Sequence, residues 1–363
     1  IEFCQIAAGP FAALLLAHTG ADLIKVQSPE GAGMRNWPPH TGGYSENFAS
    51  LNRGKKSVVL DLKDKQQLQS ARRLCLSADV VLENFRPGVM QRLGLSYESL
   101  AKEKPSLVYC SISAFGQEGP RAQEGGFDVT LQAIGGVMSV TGEPGGAPVK
   151  SGVPLTDFAA GLYAAFSVVS CLFSKTGGHI DVPMLGTTLA IAALQTSEYF
   201  GSGKDPKKLG SAHPRNAPYQ AFKCKDGYFV MAAGNDDLFR RACEGFQLPA
   251  SDPRFSTTAL RAQNQGALRE LVEKSCAGLT AEQCLGIARK QGVPCAPINS
   301  YSEALADPQV AHYGWVQQLE LPKGSTKTFV SPLAKNQKPG PPPDLGEHTE
   351  EVLRQLSASP RSR

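Results

Sequence analysis

Residues 20–26, Gly-Ala-Asp-Leu-Ile-Lys-Val, read as a short strand, and the fold turns on whether that reading repeats. It does. Ser57–Leu62 (SVVLDL), Ala78–Glu83 (ADVVLE) and Leu107–Ile112 (LVYCSI) have the same character, and His179–Val182 reads as a further strand. Polar or amphipathic stretches lie between them, as at Lys65–Leu76 and Ser96–Lys102. Apolar runs alternating with such stretches over the first 185 residues predict an α/β domain with a mostly parallel sheet. The opening residues, IEFCQIAAGP, read as the end of a strand entering a Gly-Pro turn. A few residues of that strand are expected to precede residue 1, and no signal peptide is expected.

Beyond residue 200 the composition changes. Residues 201–217 are rich in Gly, Pro and Lys/Arg and read as a linker with a solvated basic run. Gly227–Met231 reads as a strand, followed by amphipathic helices at Asp236–Phe246, Asn264–Cys276 and Ala281–Gln291. The expected organisation is a large domain begun by residues 1–200, the linker, a smaller α+β domain over 218–310, and a return segment, 311–363, that completes the large domain. The proline-rich KPGPPPDLGEH within that return excludes regular structure there, and Glu350–Leu356 reads as a last short helix.

The chain has 363 residues, 41% hydrophobic and 19% charged, so it can build a sizeable core. A net charge of +4 with no block of like charge gives no reason to expect a nucleic-acid partner. Phe158–Phe173 is the most apolar segment, but it is shorter than the roughly 20 residues of a membrane span and reads as a core helix. The nine cysteines form no CxxC pair and no zinc spacing, which fits reduced, buried thiols. The six histidines are scattered, and no metal site is expected.

Walker, dinucleotide-binding, nucleophile-elbow and zincin signatures are all absent. Several turns do combine Gly, Asn, Arg and Lys at predicted strand ends: Gln5–Pro10, Gly33–Trp37, Leu51–Ser57, Glu83–Gly88 and Ser113–Gln117. Ligands of open parallel sheets bind beyond the carboxyl ends of strands, and such turns bring backbone N–H groups close to phosphate. Together they point to a nucleotide-like ligand with several phosphates. A separate question is posed by SGVPLTDFAAGLYAAF, residues 151–166, where one carboxylate, Asp157, stands at the entry to an apolar segment. It either caps a helix or carries chemistry.

The whole pattern resembles the class III CoA-transferase family, the formyl-CoA transferase and carnitine CoA-transferase group of CaiB/BaiF type. The resemblance runs in order through AAGPFAALLLAHTGADLIKVQSPEGAGMRNW, SLNRGKKSVVLDLK, ADVVLENFRPGVMQRLGL, LVYCSISAFGQEGP, GGFDVTLQAIGGVMSVTGEPG, SGVPLTDFAAGLYAA, AHPRNAPYQAFKCKDGYF, GVPCAPI and LGEHTEEVL. It implies a Rossmann-like large domain built from both ends of the chain, a small inserted domain, and an obligate homodimer of interlocked subunits. It implies a CoA thioester as substrate, with no permanently bound cofactor and no membrane partner. It places Asp157 on the family's catalytic aspartate, a nucleophile held ionised by the helix N-terminus. Arg35 is expected at the CoA phosphates, and Ala7 and Ala8 in the turn after the first strand. Leu51, Asn52, Arg53, Lys55, Asn84, Phe85, Arg86 and Arg92 are expected to flank the adenosine and pyrophosphate.

Within the family, the α-methylacyl-CoA racemases carry a His where this chain has Phe127. A phenyl ring exchanges no proton, so transfer is favoured over racemisation. Asp128 then reads as a turn or buried hydrogen-bonding residue. The glycine-rich loop of formyl-CoA transferase has no counterpart, which turns the expectation from formate and oxalate to dicarboxylic acids, with succinyl-CoA as donor. His213 and Arg215 are candidates for a distal carboxylate, against the simpler reading of a polar linker. The turn in KTGGHIDV, residues 175–182, is shorter than in relatives. A CoA-binding protein without turnover is the alternative from another class. The expected location is the cytoplasm or, in a eukaryote, the mitochondrial matrix.

Overall fold

The computed structural model describes residues 1–321, 323–330, 332–333 and 340–358. Each apolar run overlaps a strand of one sheet: β1 (Glu2–Phe3), β2 (Ile24–Gln27), β3 (Lys56–Val59), β4 (Val80–Glu83), β5 (Val108–Ser113) and β6 (Gly178–Pro183). Their spatial order is β3-β2-β1-β4-β5-β6, and every neighbouring pair is parallel. This is the doubly wound order, with its reversal between β1 and β4. The α/β class with a parallel sheet is thus as expected.

Alternation along the strands sorts side chains onto two faces. Val108, Cys110 and Ile112 of β5 join Leu82 and Val182 under the helices Ala8–His18 and Leu155–Ser174. Tyr109 joins Phe3, Val26, Val58 and Val81 under Lys65–Ser77 and Thr349–Ala358. The first pair of helices meets through small residues: Ala8 and Ala12 on one, Ala160 and Ala164 on the other. A Cβ added at Gly161 would come within 2.8 Å of the Ala8 carbonyl oxygen, so glycine permits the close approach.

Two local expectations are corrected. Gly9–Pro10 is not a turn but the first turn of the helix Ala8–His18, where the missing proline N–H would have no helical partner anyway. The segment read as a core helix over Phe158–Phe173 spans 20 residues, Leu155–Ser174, and is long and apolar enough to cross a membrane. Only one of its faces is buried. Phe166 and Phe173 on the other are 74% and 90% exposed.

The chain folds as two compact units. The first comprises Ile1–Met138, Lys150–Asp205 and Gln309–Arg363. Its returning segment borders β3: Ser57 N–H donates to His348 Nδ1 at 3.2 Å and Val59 N–H to Thr349 Oγ1 at 3.0 Å. The proline-rich stretch of that return lies partly outside the described residues. The second unit comprises Ser139–Val149 and Pro206–Pro308. A three-stranded antiparallel sheet, Cys295–Pro297, Gly227–Ala232 and Tyr219–Cys224, packs there against helices Asp236–Phe246, Gln265–Cys276 and Ala281–Lys290. All nine cysteines are free, and seven are buried.

Candidate active site

Three turns leave the carboxyl ends of β1, β4 and β5 beside the reversal of strand order. With residues 124–127, Thr130, Asp157 and Met184 they enclose a cavity of about 540 Å³. An open parallel sheet favours a ligand at this place.

The turn after β1 is held by Asn84. Gln5 N–H donates to Asn84 Oδ1 at 2.9 Å, and Asn84 Nδ2 donates to the Gln5 carbonyl at 2.8 Å. Ile6 then takes a φ of +60°, a left-handed conformation unfavourable for a β-branched residue, before the helix begins. The turn after β4 is held by Glu83, whose carboxylate accepts the Phe85 N–H at 2.9 Å. Burial pushes the Glu83 carboxyl up to about 7, against hydrogen bonds from Ser111 and Phe85 that favour its ionised form. The paired glycines before Phe127 allow tight passage. A Cβ on Gly126 would lie 2.8 Å from Ala114 Cβ, and one on Gly125 2.8 Å from an Arg86 nitrogen.

Asp157 is the third residue of its helix, and Pro154 occupies the capping position with no side-chain acceptor. Asp157 therefore does not cap the helix. Its carboxyl is pushed up to about 6, first by burial and second by the nearby Asp128. The expected depression by the helix N-terminus is outweighed, because the half-buried carboxylate has lost water and faces a second anion. It remains mostly ionised at neutral pH.

Of the residues singled out in the sequence, Ala7, Ala8, Asn84, Phe85, Arg86, Phe127 and Asp157 line this one cavity. A second cavity of about 270 Å³, over the ends of β2 and β3, shares Gln5 and Phe85 with it. Four other residues turn inward. Leu51 packs with Ala7, Met34 and Phe48. Asn52 donates to the Phe48 carbonyl. Arg53, buried beside His18, donates to the carbonyl oxygens of Ser50 and Phe329. Lys55 is fully enclosed and donates to Glu2 Oε1, the Pro10 carbonyl and Asn52 Oδ1 at 2.9–3.1 Å. With Lys25 it forms a buried cluster under the first turn rather than a surface for phosphate.

Arg35 lies over the Phe48 ring and donates to Gln27 Oε1 and to the Pro343 carbonyl, tying in the return segment. Arg92 is exposed and lines neither cavity. His213 and Arg215 belong to the second unit, where His213 Nδ1 accepts the backbone N–H groups of Arg215 and Asn216.

Sequence reasoning named the turns but missed individual wall residues, among them Gln5, Ser113 and Thr130. Gln5 lies two residues beyond β1, Ser113 ends β5 and Thr130 lies four residues after a Gly-Gly pair, and these places were the available signal. The walls of the second cavity at Ser28, Asp61 and Lys63 sit at the same kind of place.

Known proteins share the sequence and the fold of this chain. The sequence profile of CoA-transferase family III matches residues 1–349. A succinate–glutarate CoA-transferase of Agrobacterium fabrum is 39% identical over 381 aligned residues, covering 100% of this chain and 95% of that protein. A succinyl-CoA:glutarate CoA-transferase of Homo sapiens is 35% identical, covering 98% and 84%. The crystal structure of a CaiB/BaiF family protein from Brucella suis superposes with a TM-score of 0.86 at 37% identity, covering 98% of this chain and 97% of that one. The chain belongs to CoA-transferase family III.

Proposed function

We propose that this enzyme moves CoA from succinyl-CoA to a dicarboxylic acid, with Asp157 as the nucleophile. The observation that carries the reading is a single half-buried carboxylate facing a cavity of about 540 Å³ at the switch point of the sheet. The substrate class follows the names of several relatives, which pair succinate or succinyl-CoA with glutarate, mesaconate or citramalate.

The Asp157 carboxylate attacks the thioester carbonyl, expelling CoA thiolate and leaving an acyl–aspartyl anhydride. The thiolate attacks the aspartyl carbonyl, releasing the donor acid and leaving an aspartyl–CoA thioester. The acceptor carboxylate displaces the thiolate and forms a new anhydride. Thiolate attack on the acceptor's carbonyl completes the new thioester and regenerates the carboxylate. One thioester replaces another, so neither water nor an external energy source is consumed. The adenosine end of CoA fits the smaller, mainly apolar cavity, and the shared walls at Gln5 and Phe85 lead the pantetheine towards Asp157.

Racemisation needs a second proton-exchanging group across from Asp157. Phe127 stands in the wall where the racemases have histidine, and no described residue of the wall is a histidine.

The exposed face of the Leu155–Ser174 helix supports the dimer. Leu162, Phe166 and Phe173 there, and Leu194 and Phe200 on the helix Ala193–Ser202, are 53–90% exposed. So many large exposed apolar side chains call for a cover, and a second copy supplies it. Sedimentation should give a dimer for the unaltered protein and a smaller species for Phe166→Glu. A monomeric unaltered protein would remove the dimer from the account.

The test of function is mass spectrometry of the protein mixed with succinyl-CoA and a panel of mono- and dicarboxylic acids. A new dicarboxylyl-CoA is expected. Absence of transfer to any acid, with α-proton exchange on a 2-methylacyl-CoA, would overturn the reading.

A further inference from the structure

The helix that bears Asp157 borrows its cap from elsewhere. Pro154 has no side-chain acceptor to offer. Asp128, the first residue of the helix Asp128–Ile134, supplies one. Its Oδ1 accepts the Thr156 N–H at 2.9 Å and the Thr156 hydroxyl at 2.8 Å. Its Oδ2 accepts from Gln132 Nε2 at 2.7 Å. Gln132 is fully buried, and its Oε1 accepts the Ser151 N–H at 2.8 Å. One carboxylate and one amide therefore hold both ends of the Ser151–Thr156 segment, and Asp157 is the next residue.

We propose that Asp128 is a positioning residue for CoA transfer, fixing the first turn of the Asp157 helix and keeping a second negative charge beside the nucleophile. The proposal rests on the reading of Asp157 as that nucleophile. The charge has a direction of effect. Free Asp157 is an anion repelled by Asp128, whereas acylated Asp157, as anhydride or thioester, is neutral. Repulsion is relieved when the covalent state forms, so Asp128 favours that state over the free carboxylate.

Other charged groups leave this assignment intact. The helix Ala8–His18 contributes only His18, at its far end beside Arg53, and Met184–Ile191 has no titratable residue. β5 and β6 bring Tyr109, Cys110, His179 and Asp181, with His179 held by Ser111 and Asp181 by the Gln117 N–H. The remaining charges in the cavity wall are Arg86 and Glu124. Among the described residues, Asp128 is the charged neighbour that raises the Asp157 carboxyl, after burial.

The test compares Asp128→Asn, Asp128→Ala and Asp157→Ala, using the acyl-CoA and acid that the intact protein turns over fastest. The asparagine keeps an oxygen for Thr156, loses the charge, and turns a donor towards Gln132 Nε2 where the carboxylate accepted. It should move the acid limb of kcat/KM down by about one pH unit and lower the fraction of protein trapped as the covalent CoA adduct. The alanine should do the same and also lower kcat, by about tenfold or more, with KM little changed. If the alanine fails to fold, the asparagine alone decides. An unmoved limb and an unchanged adduct fraction in Asp128→Asn would overturn the proposal while leaving Asp157 as nucleophile. Full turnover by Asp157→Ala would overturn the underlying reading, and the proposal with it.

Discussion

Asn84 holds the backbone of Gln5 at both of its polar atoms, as donor at 2.8 Å and acceptor at 2.9 Å, across 79 residues of sequence. The side chain behaves like one more rung between β1 and β4, placed where the strands diverge. It fixes the turn that carries Ile6 in its left-handed conformation and presents Ala7 and Ala8 to the cavity.

Replacing Asn84 by alanine should cost about 1 kcal/mol of stability, because this partly exposed pair can turn to water. The larger effect is expected on KM for the acyl-CoA, since the freed turn shapes both cavities. Urea denaturation and steady-state kinetics check the two parts. A variant with unchanged KM would mean that the turn holds itself.

The Asp157 carboxyl, raised to about 6, gives two opposite pH dependences. The ionised form is the nucleophile, so kcat/KM should fall as pH drops through about 6. Stability runs the other way. A folded-state value above the unfolded one stabilises fully at low pH, and the contribution is lost as pH rises through about 6. Asp157→Asn should therefore be inactive yet more stable than the unaltered protein at pH 8, by up to about 3 kcal/mol. Denaturant midpoints at pH 5 and pH 8 read this directly, and a less stable asparagine variant at pH 8 would contradict it.

Glu83 obeys the same logic away from the chemistry. Its buried carboxyl titrates near 7, so its stabilising contribution is present in acid and lost as pH rises through 7. Glu83→Gln retains an acceptor for the Phe85 N–H without the buried charge. The difference in stability between pH 5 and pH 8 should shrink in the variant by up to about 3 kcal/mol. An unchanged difference would show that Glu83 ionises without penalty.

Much of this was legible in the sequence because it is local. The strands announced themselves as apolar runs, and the turns at their ends as clusters of Gly, Asn and Arg. What the sequence could not give is direction. Lys55 and Arg86 look alike as basic residues in Gly-containing turns. The fold turns the first onto Glu2 and the Pro10 carbonyl, and leaves the second in the cavity wall. The buried Glu2–Lys25–Lys55 cluster depends on β1, β2 and the turn before β3 meeting, which no single stretch encodes. Gly9–Pro10 was misread because proline marks a turn and a helix's first turn equally well. Asp128 was read as a hydrogen-bonding residue without its partner, because Thr156 lies 28 residues further on.

The central claim is that Asp157 carries CoA covalently. The most direct measurement is to incubate the protein with succinyl-CoA in the absence of an acceptor acid, add hydroxylamine, and map the modified peptide by mass spectrometry. The account predicts a hydroxamate on Asp157 that requires the CoA ester and disappears in Asp157→Asn. Transfer of CoA to an acceptor by a protein that never forms this adduct, or the same adduct on another residue, would contradict it.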